Sequence, residues 1–274
     1  MDNKVSTVYV DLNGTTFWRN KERYIHRDGG LHAVEKENGT KEWHVNGVLH
    51  RNGDLPAVER ADGRKEWWIG GLRHRDNDLP AIEWGDGGKE WWVSGRPHRD
   101  GGLPALDWAD GRKEWHVNGK CCRDNDLPAV IWADGKKQWF VNDRLHREGG
   151  LPSIERPNGH KEWHVNGRLH RGGGLPAVEG ANGTKEWYVN GKLHRDNGLP
   201  AVVRADGRKE WWINGFRHRV GGDLPAIEWA DGKREWFANG RLHREGGLPA
   251  VEEANGDKKW YINGKEVSPP SWAD

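Results

Sequence analysis

Lys185–Val202 reads KEWYVNGKLHRDNGLPAV. A Trp-aromatic-Val run precedes Asn190-Gly191, the strongest short-range signal for a two-residue hairpin turn. His194-Arg195 and a Gly-containing loop follow, and Leu199-Pro200 leads into another short β-branched run. The same wording returns along almost the whole chain. Trp43, Trp67, Trp91, Trp115, Trp139, Trp163, Trp187 and Trp211 stand 24 residues apart, while Trp18, Trp236 and Trp260 extend the series with steps of 25, 25 and 24. Self-similarity of fixed length marks a repeat architecture. Eleven copies of one unit account for nearly all 274 residues.

Composition agrees with a thin β structure. Hydrophobic residues make up 34% of the chain and charged residues 31%, with a mean hydropathy of -1.01. That leaves little material for a conventional two-layer core, yet 19 Trp in strict period oppose disorder. Net charge is +1, from 43 basic and 42 acidic residues mixed within every repeat. A nucleic-acid groove has little to work with, and no nucleic-acid partner is expected. Cys121 and Cys122 are adjacent and cannot staple distant segments. The first residues lack the apolar run of a signal peptide, and no segment has the length of a membrane span. The expected setting is intracellular, with the Asn-Gly-Thr sequons at Asn13, Asn38 and Asn182 acting as turns.

Within the unit, Leu55–Arg75 supplies the pattern. Val58 lies on a short strand before Ala61-Asp62-Gly63, and Lys65–Ile69 forms the return strand. A two-residue Asp62-Gly63 loop would set Glu59 against Glu66. A three-residue loop with Gly63 in the left-handed region opposes Glu59 and Lys65 instead, and cross-strand charge favours it. The Leu-His-Arg segment gives a third short strand. Side-chain alternation along Lys65–Ile69 puts Lys65, Trp67 and Ile69 on one face and Glu66 with Trp68 on the other. The recurring Trp and the Val or Ile two places on are therefore expected to form the packing ladder. One Trp cannot offset the entropy of ordering 24 residues, so each unit must stack on its neighbours. The predicted fold is all-β: an elongated single-layer antiparallel array of about eleven β-hairpin units. Residues 1–28 read as an N-terminal capping repeat, with Val5–Leu12 and Thr15–Trp18 as its strands. Residues 29–264 read as tandem repeats. Residues 265–274 leave the pattern, and Pro269-Pro270 suits a tail that blocks the last sheet edge.

The unit WYVNGKLHRDNGLPAVEGANG resembles a divergent MORN repeat through Trp187, Asn190-Gly191-Lys192, His194, Gly198 and the Asn182-Gly183 or Asp206-Gly207 turns. It departs from that pattern at Arg195 and Leu199-Pro200, where MORN repeats carry Gly and a Gly-aromatic step. Its flavour is similar to repeat arrays encoded by large DNA viruses of protists. The resemblance implies scaffolding, self-association, partner docking and sometimes membrane association, without enzymatic activity. A host-cytoplasmic, virion or viral-factory component fits it.

The remaining motifs reduce to the repeat. His-Arg-Asp, as at His98-Arg99-Asp100, is periodic and has no phosphate loop beside it. The histidine row from His26 to His243, interrupted by Cys122, is spaced too widely to share an ion, and no metal or other cofactor is expected. The Arg that follows each His suits bridging of successive loops through Asp or Glu. Asp76-Asn77-Asp78 and Asp124-Asn125-Asp126 lack the ligand spacing of a calcium loop and read as turns. Aromatic residues that vary between copies are the candidate binding set. Trp68, Trp84, Trp92, Trp108, Trp132, Trp212 and Trp229 could line an exposed strip or, equally, stack between copies. The leading expectation is a non-enzymatic scaffold that binds protein partners or its own copies. The alternative is a glycan- or anionic-lipid-binding module using the same Trp strip and the Arg row.

Overall fold

The computed structural model describes residues 6–272, and among them there is no helix. Its contacts divide it into two compact units, residues 1–135 and 136–274. Each is an antiparallel sheet of very short strands flanked by small hairpins.

In the first unit, Thr7–Val10 pairs with Thr16–Arg19. Val34–Glu35 joins the other side of that hairpin, and two-residue strands then follow one another down to Val130–Ile131. The N-terminal strand is shorter than the expected Val5–Leu12, and Val5 lies outside the described residues. In the second unit the same succession runs from Lys137–Gln138 to Lys258–Ile262.

The charge argument for the register holds. Glu59 faces Lys65 and Val58 faces Glu66. Gly63 has φ of 87° and its N–H donates to the Arg60 carbonyl, closing the three-residue loop. Lys65 faces Glu83 of the next copy as well, so the ladder alternates basic and acidic side chains. The flanking hairpins also follow sequence. His44–Val45 pairs with Val48–Leu49, and Asn46-Gly47 has φ of 48° and 84°, the two positive angles of a type I′ turn.

Side-chain alternation along Lys65–Ile69 does not hold. The strand ends at Glu66 and another begins at Trp68. Trp67 donates its N–H to the Ala81 carbonyl and accepts at its own carbonyl from the His74 N–H. The chain turns there from the ladder into the flanking hairpin. Glu66 and Trp67 consequently both face inward, at 1% and 6% exposure, while Lys65 and Ile69 face out. Buried along with Trp67 are the residues after Leu-Pro, namely Ala57, Val58, Ala81 and Ile82. The expected pairing of Trp with the Val or Ile two places on is replaced by this Ala-Val layer.

At the C-terminal end, Lys265–Val267 still pairs with Trp260–Ile262 as a return strand. The departure from the pattern begins after Val267, not after Gly264.

Candidate functional site

Each copy builds its surface around the recurring Trp. Trp43, Trp67, Trp91, Trp115, Trp139, Trp163, Trp187, Trp211 and Trp236 are buried, and Trp260 in the last copy is half-buried. The indole N–H of Trp67 donates to the Asp54 carbonyl at 3.1 Å, and that of Trp91 to the Asp78 carbonyl at 3.0 Å. The loop thirteen residues upstream therefore rests on the indole.

The Arg after each His covers the same ring. Arg75 lies 3.8 Å over Trp67 and Arg99 3.8 Å over Trp91, within cation–π reach. Arg75 also reaches back to the preceding loop, its Nε and one terminal nitrogen donating to the two Asp54 oxygens at 2.8 and 3.1 Å. Arg99 holds Asp78 and Arg244 holds Asp223 in the same way. These bonds hold the three Asp carboxyls below the usual carboxylate range. The expected bridging of successive loops is thus present, with ring stacking that sequence spacing does not show.

The histidine row joins neighbouring flanking hairpins. His74 Nδ1 accepts from the Ser94 backbone N–H at 3.2 Å in the next copy, and Nε2 meets Asp76 at 2.9 Å. An Nδ1 that accepts leaves the proton on Nε2, which donates to the carboxylate two residues on. His-Arg-Asp is in this way a complete clasp: ring to the next turn, carboxylate to the ring, guanidinium to the Trp.

The inward Glu forms a further row. Glu66 accepts from Arg60 at 3.0 Å, from Arg73 at 3.4 Å and from the Trp68 indole at 3.2 Å. Glu90 accepts from Trp84 at 2.7 Å and Trp92 at 2.8 Å, and Glu114 from Trp108 at 3.3 Å. Glu42 bonds His44 at 3.1 Å and Lys36 at 2.6 Å. The His44 bond first, then Lys36, hold its carboxyl down at about 2 against partial desolvation.

This row accounts for the candidate strip. Trp68, Trp84, Trp92, Trp108, Trp132, Trp212 and Trp229 are all half-buried. Trp84 packs against Trp108 at 6.2 Å between centroids. Trp68, Trp84, Trp92, Trp108 and Trp212 bond the inward Glu, and Trp84, Trp132 and Trp229 are covered by Arg64, Arg112 and Arg208 of the preceding copy.

What stands exposed instead is aliphatic. Leu79, Leu103 and Leu127 are 37%, 46% and 44% exposed, and Val93 and Val117 are 41% and 39%. They border clefts that recur with the repeat. One, lined by Leu79, Trp91, Val93 and Leu103, holds about 420 Å³. The next, lined by Leu103, Trp115, Val117 and Leu127, also holds about 420 Å³. In the second unit the cleft with Leu175, Trp187, Val189 and Leu199 holds about 410 Å³. Sequence reasoning missed these rows because an isolated Leu or Val in a polar repeat reads as core.

It also passed over Ser153 and His164, whose Oγ and Nδ1 lie 2.9 Å apart with Glu162 at 3.7 Å from Nε2. The composition is that of a hydrolytic triad. Ser153 is fully buried, replaces the Ala of other copies and also donates to the Glu162 carbonyl at 3.2 Å. Burial pushes the His164 imidazole below its ordinary value. An enclosed hydroxyl cannot meet a substrate, and the pair is a satisfied polar core contact.

No described protein family matches the chain, and no curated protein is significantly similar to it. Among solved structures, the TCP10 domain of Danio rerio CPAP in complex with a peptide of Danio rerio STIL is similar at 13% identity. That alignment covers 98% of this chain and 96% of that one, with a TM-score of 0.17. Among the described residues, no helix is long and apolar enough to cross a membrane.

Proposed function

We propose that this chain is a non-enzymatic repeat scaffold, MORN-like in its unit, that mediates protein–protein interaction or self-assembly. The recurrence of one cleft carries the reading: about 420, 420 and 410 Å³ at equivalent places, bordered by exposed Leu and Val beside the His-Arg loops. Repetition of a small site along one chain suits multivalent engagement, where weak contacts combine. The alternative, glycan or anionic-lipid binding, needs accessible Trp faces and unpaired Arg. Here Arg stacks on the Trp, and Arg75, Arg99 and Arg244 also hold carboxylates.

The test is a fold-neutral surface change. Leu79→Asp, Leu103→Asp and Leu127→Asp together should abolish association with protein partners identified by proximity labelling, leaving far-UV circular dichroism unchanged. Retained association in a folded triple variant would sink the cleft reading. Salt-dependent flotation with anionic vesicles, or indole fluorescence shifts with oligosaccharides, would favour the alternative.

A further inference from the structure

The two ends of the chain are built differently. At the end of the second unit, the strand beside Val251–Glu252 begins Lys258-Lys259, and charge, Lys especially, protects a sheet edge. The chain there continues into the Lys265–Val267 return strand. Pro270 and Trp272 then close on the preceding loop, so tightly that a Cβ at Gly247 would lie 2.9 Å from the Trp272 ring.

At the start of the first unit, Thr7-Val8-Tyr9-Val10 carries no charge. Among the described residues it pairs on one side only, with Thr16–Arg19. Val8, Tyr9 and Val10 are 59%, 54% and 56% exposed. Hydrogen bonds elsewhere fix which backbone groups face the open side. Asp11 N–H donates to the Thr15 carbonyl, so the pairs facing inward alternate from there as Tyr9–Phe17 and Thr7–Arg19. Trp18 N–H donates to Ala33 on the other side, in agreement with Val8–Trp18 being a non-bonded pair. The N–H and C=O groups of Val8 and Val10 therefore point outward from the sheet.

We propose that Thr7–Val10 pairs antiparallel with the same strand of a second copy, closing a two-fold dimer. Of the registers the outward groups allow, one uses all of them. Val8 opposes Val10 of the other copy, each pair exchanging two backbone hydrogen bonds, and Tyr9 opposes Tyr9 at the centre. A neutral strand meets itself without charge repulsion, and two-fold symmetry uses the same patch twice. Because Lys258 and Lys259 put positive charge on the strand at the other end, that end does not pair with itself and assembly stops at two copies. This specifies the self-assembly side of the scaffold reading and rests on it; docking at the clefts is separate and is tested by the leucine variants.

Light scattering on the full chain over a hundredfold concentration range should show growth from 31.2 kDa to twice that mass. Val10→Pro removes an N–H the intramolecular ladder does not use, and Val8→Lys places a charge on the edge. Each should raise the dissociation constant by about tenfold or more, with unchanged circular dichroism. In a Cys121→Ser, Cys122→Ser background, Tyr9→Cys should cross-link to a covalent dimer on oxidation. Thr7→Cys should not, since Thr7 opposes Asp11. A wild-type chain that stays at 31.2 kDa throughout overturns the proposal. So does a dimer that persists in either folded edge variant, or cross-linking of Thr7→Cys as fast as Tyr9→Cys. Should either edge variant fail to fold, the cysteine pair decides.

Discussion

Two successive junctions in the second unit carry the same residue types and differ by one residue. From Trp187 to Trp211 the step is 24, and from Trp211 to Trp236 it is 25. At the shorter step the Trp211 indole donates to the Gly198 carbonyl at 2.7 Å, and the Asn214 N–H donates to His194 Nδ1 at 3.1 Å. At the longer one, Trp236 Nε1 and His218 Nδ1 are both buried without a hydrogen-bond partner among the described residues. The added residue lies in Val220-Gly221-Gly222-Asp223, between His218 and the turn it would clasp. Leu224 N–H now bonds the Gly222 carbonyl, whereas Leu199 bonds Asp196, so the loop takes another path over the indole. The cleft over Trp211, lined by His194–Leu199 and bounded by Val220 where the longer loop begins, holds about 100 Å³, against about 410 Å³ one copy earlier.

The stack survives regardless. Gly240 N–H still donates to the Arg217 carbonyl at 3.0 Å. Arg244 still lies 3.7 Å over Trp236 and holds Asp223 at 2.7 and 2.5 Å. Sheet pairing, Trp burial and the Arg clamp are therefore the primary supports. The indole and imidazole bonds add to them without being required.

The sharpest test removes the primary support. Trp211→Ala and Trp236→Ala should each cost about 3–5 kcal/mol in urea unfolding, because both rings are buried. A loss below about 1 kcal/mol at Trp236 would mean that sheet pairing and the Arg244–Asp223 bonds, not the ring, hold that copy.

Deleting Gly221 restores the 24-residue step and should stabilise by about 1–2 kcal/mol, the worth of two regained hydrogen bonds. An unchanged or lowered midpoint would show that the loop path, not its length, sets the lost bonds.

Trp211→Phe should cost about 1 kcal/mol more than Trp236→Phe, since only the first removes a satisfied N–H donor. Equal costs would remove the distinction between the two junctions.

Acid separates a further pair. Glu42 has a carboxyl held at about 2 against an ordinary 4.5, chiefly by the His44 hydrogen bond. Its folded value lies below its unfolded one, so its contribution is complete above pH 4.5 and fades as pH falls towards 2. Glu42→Gln, which imitates the natural Gln138 of a later copy, should flatten the melting temperature against pH in that window. Parallel slopes in the two proteins would refute the assignment.

Much of this fold was legible because repetition averages out local ambiguity. Asn46-Gly47 and Asp62-Gly63 each specify a turn, and Glu59 against Lys65 picks the register. The face of Trp67 was not legible. Alternation presumes a continuous strand, and the break at Trp67 depends on Ala81 and His74 being in place to take its backbone groups. What the variable Trp residues touch was not legible for a related reason. Variation at Trp84, Trp108 and Trp132 suggests tolerance, but Glu90 and Glu114 supply partners below the Trp84 and Trp108 rings. The exposed Leu and Val rows escaped notice because residue type does not reveal which copy of an apolar residue faces water.

The sequence by itself determined the repeat, its turns, the all-β class and the antiparallel register, because these rest on residue spacing and local backbone preference. Tertiary structure alone decided what each recurring side chain touches. His reaches the next turn, Arg folds over its own Trp, Glu turns inward, and Leu is left at the surface. Those outcomes depend on where a neighbouring copy places its backbone, and no spacing within one copy contains that information.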